Sequence, residues 1–91
     1  MEQLIKKYQL LPADQDCFEL CKNNKNIIPK YIRPLELGYF QLICVSSTNS
    51  KKYFLIELGG SDYNAYENSI EKLNKLTLND AISFSQLKVI F

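Results

Sequence analysis

Ile27–Val45, IIPKYIRPLELGYFQLICV, packs two prolines, three aromatic residues and a run of aliphatics between polar flanks. How this stretch is read decides the fold. Each proline pushes the residue before it out of the helical region, so the first half reads as an apolar loop turning at Pro29 and Pro34. That loop feeds a strand beginning near Tyr39. Downstream, Tyr39–Ser46 (YFQLICVS) and Lys52–Leu58 (KYFLIEL) are rich in aromatic and aliphatic residues, and they flank a polar connection, Ser47–Lys51, of hairpin length. The spacing predicts an antiparallel pair. Gly59-Gly60 then stops the second strand.

Helical signals follow at once. Tyr63, Tyr66, Ile70 and Leu73 form a stripe at three- and four-residue spacing, which predicts a helix from about Asp62 to Lys75. Its cap is open between Asn64, which has Glu67 three residues on, and Ser61 or Asp62. The tail LTLNDAISFSQLKVIF reads as strand or helix; Ser83 taken as a cap for Gln86 favours a last helix carrying Leu87, Ile90 and Phe91. Because that apolar run suits a helix interior better than a free end, a continuation past Phe91 is expected.

Upstream, Leu4, Ile5, Tyr8 and Leu11 predict a short amphipathic helix over residues 2–10, ended by Pro12. A second helix is expected from Pro12 or Ala13, with Asp14 and Asp16 in its first turn and Cys17, Phe18, Leu20 and Cys21 along it. Asn23–Asn26 breaks the chain before the apolar stretch.

Composition narrows the possible functions. Ninety-one residues with 46% hydrophobic and 23% charged content describe one small globular domain of modest stability. The 11 basic and 10 acidic side chains are interspersed and sum to +1, which argues against nucleic acid as a partner. Lys51-Lys52 is explained by a solvated hairpin tip. Three cysteines, Cys17, Cys21 and Cys44, are an odd number and the chain has no histidine, so neither a disulfide framework nor a usual zinc site has its ligands. Reduced thiols fit a cytosolic setting, with Cys17 and Cys21 as small buried hydrophobes on one helix face. No apolar run approaches the ~20 residues of a membrane span, and Met1-Glu2-Gln3 does not open a signal peptide.

Catalytic constellations are sparse. Without histidine a serine or cysteine nucleophile needs lysine or a carboxylate as base, and no spacing singles out such a pair. Glu36 and Glu57 fall in different elements, Gly59-Gly60 lacks the further glycines and lysine of a phosphate loop, and Tyr39, Phe40, Tyr53 and Phe54 have no basic groove around them. No cofactor is implied. What is left is binding through apolar surface.

From Ile28 onward the order of features resembles the U-box, the metal-free relative of the RING domain. Ile28-Pro29-Lys30-Tyr31 with Pro34-Leu35-Glu36-Leu37 is similar to the family's opening loop. Cys44-Val45-Ser46-Ser47 falls at its first strand and polar turn, and Tyr66–Leu73 resembles the start of its central helix. Ala81–Lys88 resembles the approach to its C-terminal helix. Two departures stand out: the link from Lys51 to Tyr63 is longer than usual, and the second loop, Asn74–Asp80, lacks the proline that normally meets the partner enzyme. The resemblance implies an α+β fold with a β-hairpin, a central helix and a C-terminal helix over residues 27–91, preceded by a helical extension of two short helices over residues 1–26. It also implies a ubiquitin ligase (E3) that recruits a ubiquitin-conjugating enzyme (E2) and positions it for transfer to a substrate protein, with no covalent intermediate. On that basis Ile32, Leu35, Leu37 and Leu73 are expected to form the E2-facing patch. A eukaryotic-type module in an asparagine- and lysine-rich chain suggests an effector from an intracellular bacterium or a virus, acting in host cytosol.

A second resemblance rests on Leu11-Pro12 before a short helix, then a hairpin and an acidic helix. This order is similar to the immunity proteins of the SMI1/KNR4 group, and it implies a non-enzymatic module that binds and blocks a toxin, its hairpin part of a larger sheet.

Overall fold

A computed structural model describes residues 1–91 as an α+β domain of four helices and a five-stranded antiparallel sheet. The chain runs α1 (Glu2–Tyr8), β1 (Leu11–Pro12), α2 (Gln15–Cys21), β2 (Ile27–Pro34), β3 (Phe40–Ser46), β4 (Lys52–Leu58) and α3 (Tyr63–Lys75). A 3-10 turn (Leu78–Asp80), β5 (Ile82–Ser83) and α4 (Phe84–Ile90) complete it. The strands lie in sequence order, β1 to β5, as a meander whose two outermost strands are two residues long.

Strand alternation sorts the side chains onto two faces. Leu42 and Cys44 of β3, with Phe54, Ile56 and Leu58 of β4, meet Cys17 and Cys21 of α2 and Leu73 of α3 in one core cluster. Ile43, on the opposite face, meets Leu4, Leu10 and Leu87, packed round by Tyr8, Tyr31, Tyr53, Phe84 and Phe91. Helices α2 and α3 therefore cover one face, and α1 and α4 the other. Residues 1–26, expected as a helical extension, supply Leu4, Leu10, Cys17 and Cys21 to these clusters. The radius of gyration, 12.5 Å, matches the ~12 Å of a single folded unit this long.

The hairpin forms as expected, with Lys52–Leu58 as its second strand. The stretch before it does not form a loop. Ile27–Pro34 is strand β2, paired along its length with β3. Its register shifts between Pro29 and Tyr31, where Pro29 opposes Cys44, Tyr31 opposes Ile43 and Lys30 is the extra residue. Proline cannot donate to a ladder and is tolerated in strands at bulges and edges, so Pro29 at the bulge and Pro34 at the strand end leave the pairing intact. The bulge is tied to the preceding segment by the Ala13 N–H donating to the Lys30 carbonyl at 2.9 Å.

Helix ends follow local chemistry. Helix α1 stops before Pro12, at Gln9 in the left-handed region (φ 53°), and Leu11 lies on exposed β1, off the helical stripe. Asp14 caps α2 by accepting from Cys17 N–H, and Asp62 caps α3 by accepting from Ala65 N–H. Ser83 and Gln86 form the expected capping box of α4. Of the apolar residues expected along α4, Leu87 is buried, whereas Ile90 is exposed.

The segment Asn23–Asn26, expected only to break the chain, does more. The buried Asn24 amide donates to the Leu73 carbonyl at 2.8 Å and the Leu76 carbonyl at 3.0 Å, and its oxygen accepts from Asn26 N–H at 3.0 Å. The Asn26 amide adds a bond to Leu76 at 3.2 Å. These bonds satisfy carbonyls that the end of a helix otherwise leaves without partners.

Candidate functional site

Between α2 and α3, over β2 and β3, the first face opens into a groove of about 560 Å³. Its apolar lining comes from Cys17 and Leu20 of α2, Ile32 of β2, Phe40 of β3 and Tyr66 of α3. The stripe along α3 explains the opening: Leu73 is fully buried and Ile70 packs on the core, while Tyr66 is 37% and Tyr63 72% exposed, so the helix rises from the core toward its N-terminus. On the facing helix, Cys17 and Leu20 line the opposite side of the groove.

The rim is charged. Asp14, Asp16 and Glu19 line it with one cation, Lys22, which is already paired with Glu19 at 3.4 Å. Carboxylates therefore dominate the mouth of the groove on a chain whose formal charge is only +1. The Cys17 N–H bond to Asp14 holds that carboxyl below its ordinary pKa, so the cap stays ionised in mildly acidic solution. Beneath the groove, burial pushes the Cys17 thiol up, and its hydrogen bond with Cys21 together with burial pushes Cys44 up. All three cysteines are free and buried, and they behave as packing groups. No group of three or more Cys, Asp or Glu side chains stands where it could hold a metal ion.

The four residues expected to face an E2 do not come together. Ile32 lies on β2, half-buried at the groove floor. Leu73 has 0% exposure and is part of the core, not of the surface. Leu35 and Leu37 sit in the β2–β3 turn, where Leu35 N–H donates to the Tyr39 carbonyl at 2.9 Å and Tyr39 N–H donates to the Glu36 carbonyl at 3.2 Å. Leu37 is 83% exposed, with φ 58°, a conformation that costs a branched side chain energy. The turn is braced from behind: a Cβ on Gly59 would stand 2.2 Å from the Gly38 carbonyl oxygen, so the two loops touch backbone to backbone.

Sequence reasoning missed the groove's other lining residues. Phe40 and Tyr66 were legible as apolar positions, but what makes them a site is the splay of α2 against α3. The acids Asp14 and Asp16 read as helix-start signals, which they are, and their second position at a groove mouth depends on where β2 runs.

No helix is long and apolar enough to cross a membrane. Comparison with protein-family models, with curated proteins and with solved structures finds no match to this chain.

Proposed function

We propose that the chain is a non-enzymatic protein-interaction module, of the kind an immunity-type inhibitor represents, that binds its partner through the groove between α2 and α3. One observation carries this reading: an apolar floor of Leu20, Ile32, Phe40 and Tyr66 lies open beneath a charged rim. An apolar centre ringed by polar groups is the anatomy of an interface, in which a buried anchor supplies most of the energy and the rim excludes water. The titratable groups beside the groove support binding in preference to catalysis. The thiol there is held protonated, because burial and the neighbouring Asp14 carboxylate both disfavour the thiolate.

The test is a display selection of peptide binders against the wild-type protein, each binder then measured against a Leu20→Lys variant. Leu20 is half-buried at the groove wall, so the lysine stem can lie along the apolar surface and the variant should keep a cooperative melt. Binders that lose affinity for Leu20→Lys support the groove. Binders indifferent to it place recognition elsewhere and sink the reading.

A second reading is ubiquitin ligation by E2 recruitment, favoured by the exposed Leu37. An apolar side chain held in a strained conformation and presented to solvent is a reason to ask what it contacts. Autoubiquitination with a panel of E2 enzymes, and E2 binding followed by NMR, address it directly. Activity that disappears in Leu37→Asn, a residue better suited to positive φ, would carry this reading; no activity and no binding would remove it.

A further inference from the structure

We infer that the α2–α3 groove takes a cationic segment, one bulky apolar or aromatic anchor flanked by lysine or arginine. The inference rests on the interaction reading above and adds the chemistry of the partner. Its basis is the separation of two properties within a single concavity. The floor is apolar, while the mouth carries Asp14, Asp16 and Glu19 against Lys22 alone.

The acids are not consumed by the fold. Asp14 accepts from the Cys17 N–H, yet a carboxylate has room for further donors. Asp16 makes no ion pair, and the only one made by Glu19 is a surface contact with Lys22 in which both side chains are more than half exposed. Such an exposed pair contributes little and can be exchanged for an incoming guanidinium. The volume, about 560 Å³, suits an inserted anchor and leaves no room for a whole helix. An aromatic anchor would meet the Phe40 and Tyr66 rings, and a flanking arginine could stack on Tyr66 while pairing with Asp16 or Glu19.

An anionic partner is disfavoured by the same arithmetic, because its charges would be brought up to like charges at the rim. Nucleic acid falls in that class, so the groove is a site for a basic protein segment. The anchor supplies the residence time, and the carboxylates supply register and a salt-dependent association rate.

The test uses three synthetic peptides on the full chain, followed by NMR amide shifts and calorimetry. The first has a central Trp flanked by lysines, the second the same Trp flanked by glutamates, and the third the lysines with Ala in place of Trp. The lysine–Trp peptide should bind and shift amides around Asp16, Glu19, Leu20 and Tyr66, with affinity falling as salt is raised. Binding should drop at least about tenfold in the charge-reversed pair Asp16→Lys with Glu19→Lys, and by less in the neutral pair Asp16→Asn with Glu19→Gln. Both pairs leave the Asp14 cap in place, and thermal melts confirm that each variant is folded. Equal binding of the glutamate peptide overturns the inference, as do shifts confined to other surfaces, an unchanged affinity in the charge-reversed pair, or no binding of the lysine–Trp peptide. If display binders of another chemistry still depend on Leu20, the groove stands as an interface and only its charge preference is lost.

Discussion

The two faces of the sheet solve the same packing problem with different side chains. Beneath α2 and α3 the filling is aliphatic and thiol: Cys17, Cys21, Leu42, Cys44, Ile56, Leu58 and Leu73, with Phe54 as the one buried ring. Beneath α1 and α4 the buried aliphatic centre is small, and large rings close it at the sides. There Tyr8 stacks on Phe91 at 4.8 Å and donates its hydroxyl to the Phe91 carbonyl at 2.9 Å, while Arg33 lies over the Tyr8 ring at 4.8 Å. Rings span the gap between these short helices, and the opening left on this face, about 520 Å³, lies toward the hairpin tip beside Tyr31, Val45 and Tyr53. Small side chains pack densely at the centre but cannot reach across the periphery, and the groove opens where they run out. The choice of core residue thus shapes where each face opens.

The comparison can be broken most forcefully at Leu73. Because it is fully buried where α3 meets the sheet, Leu73→Ala should destabilise by about 2–5 kcal/mol, read as a lower midpoint in urea. A near-neutral result would mean that Leu73 is a surface residue after all. Next is Asn24→Ala, which removes the buried side-chain bond to the Leu73 carbonyl and the part-buried one to Leu76 at the end of α3 and should cost about 1–3 kcal/mol. On the aromatic face, removing a hydroxyl should matter less: Tyr8→Phe keeps the stack and should cost about 0.5–1.5 kcal/mol by the same urea titration.

A pH titration separates the faces without mutation. Burial raises the Cys17 thiol above the ordinary value of 9.0, whereas the bond between Cys21 and Cys44 raises one thiol and lowers the other, so Cys17 sets the sign. A raised folded-state pKa means the folded state holds its proton more tightly, so this stabilisation is complete below about pH 9 and is lost as pH rises through the folded-state value. Alkaline unfolding should therefore begin on the thiol face, with backbone amides of α2 losing exchange protection before those of α4. The Asp14 cap has the opposite sign. Its depressed pKa contributes above the ordinary value of 3.8 and fades as pH falls below it. That is the smallest effect expected, a slight lowering of the melting temperature in acid that Asp14→Asn should remove.

Much of the α+β character was legible in local pattern. The hairpin, the Gly59-Gly60 stop, the α3 stripe and the Ser83–Gln86 box all announce themselves within a few residues, because caps and alternation are short-range signals. Strand β2 was not legible for a physical reason. Ile27 and Ile32 point to the same face although they are five residues apart, an odd spacing that simple alternation assigns to opposite faces; the bulge at Lys30 shifts the phase. With two prolines in eight residues, the pattern gave loop signals where pairing with β3 overrides them. The two-residue strands β1 and β5 carry no periodicity of their own and exist only through their neighbours. The groove was invisible for a related reason. Its lining draws on four elements, and only the packing of the helices brings Leu20, Ile32, Phe40 and Tyr66 to one place.

The backbone contact between Gly38 and Gly59 bears on association thermodynamics. A loop free to move must be ordered when a partner arrives, and that loss of entropy is subtracted from the contact energy. The turn carrying Leu37 is held from behind before any encounter, since no side chain separates it from the end of β4. A contact made through that turn would be preorganised: its calorimetric signature should show little ordering entropy, and its association rate should be insensitive to loop dynamics.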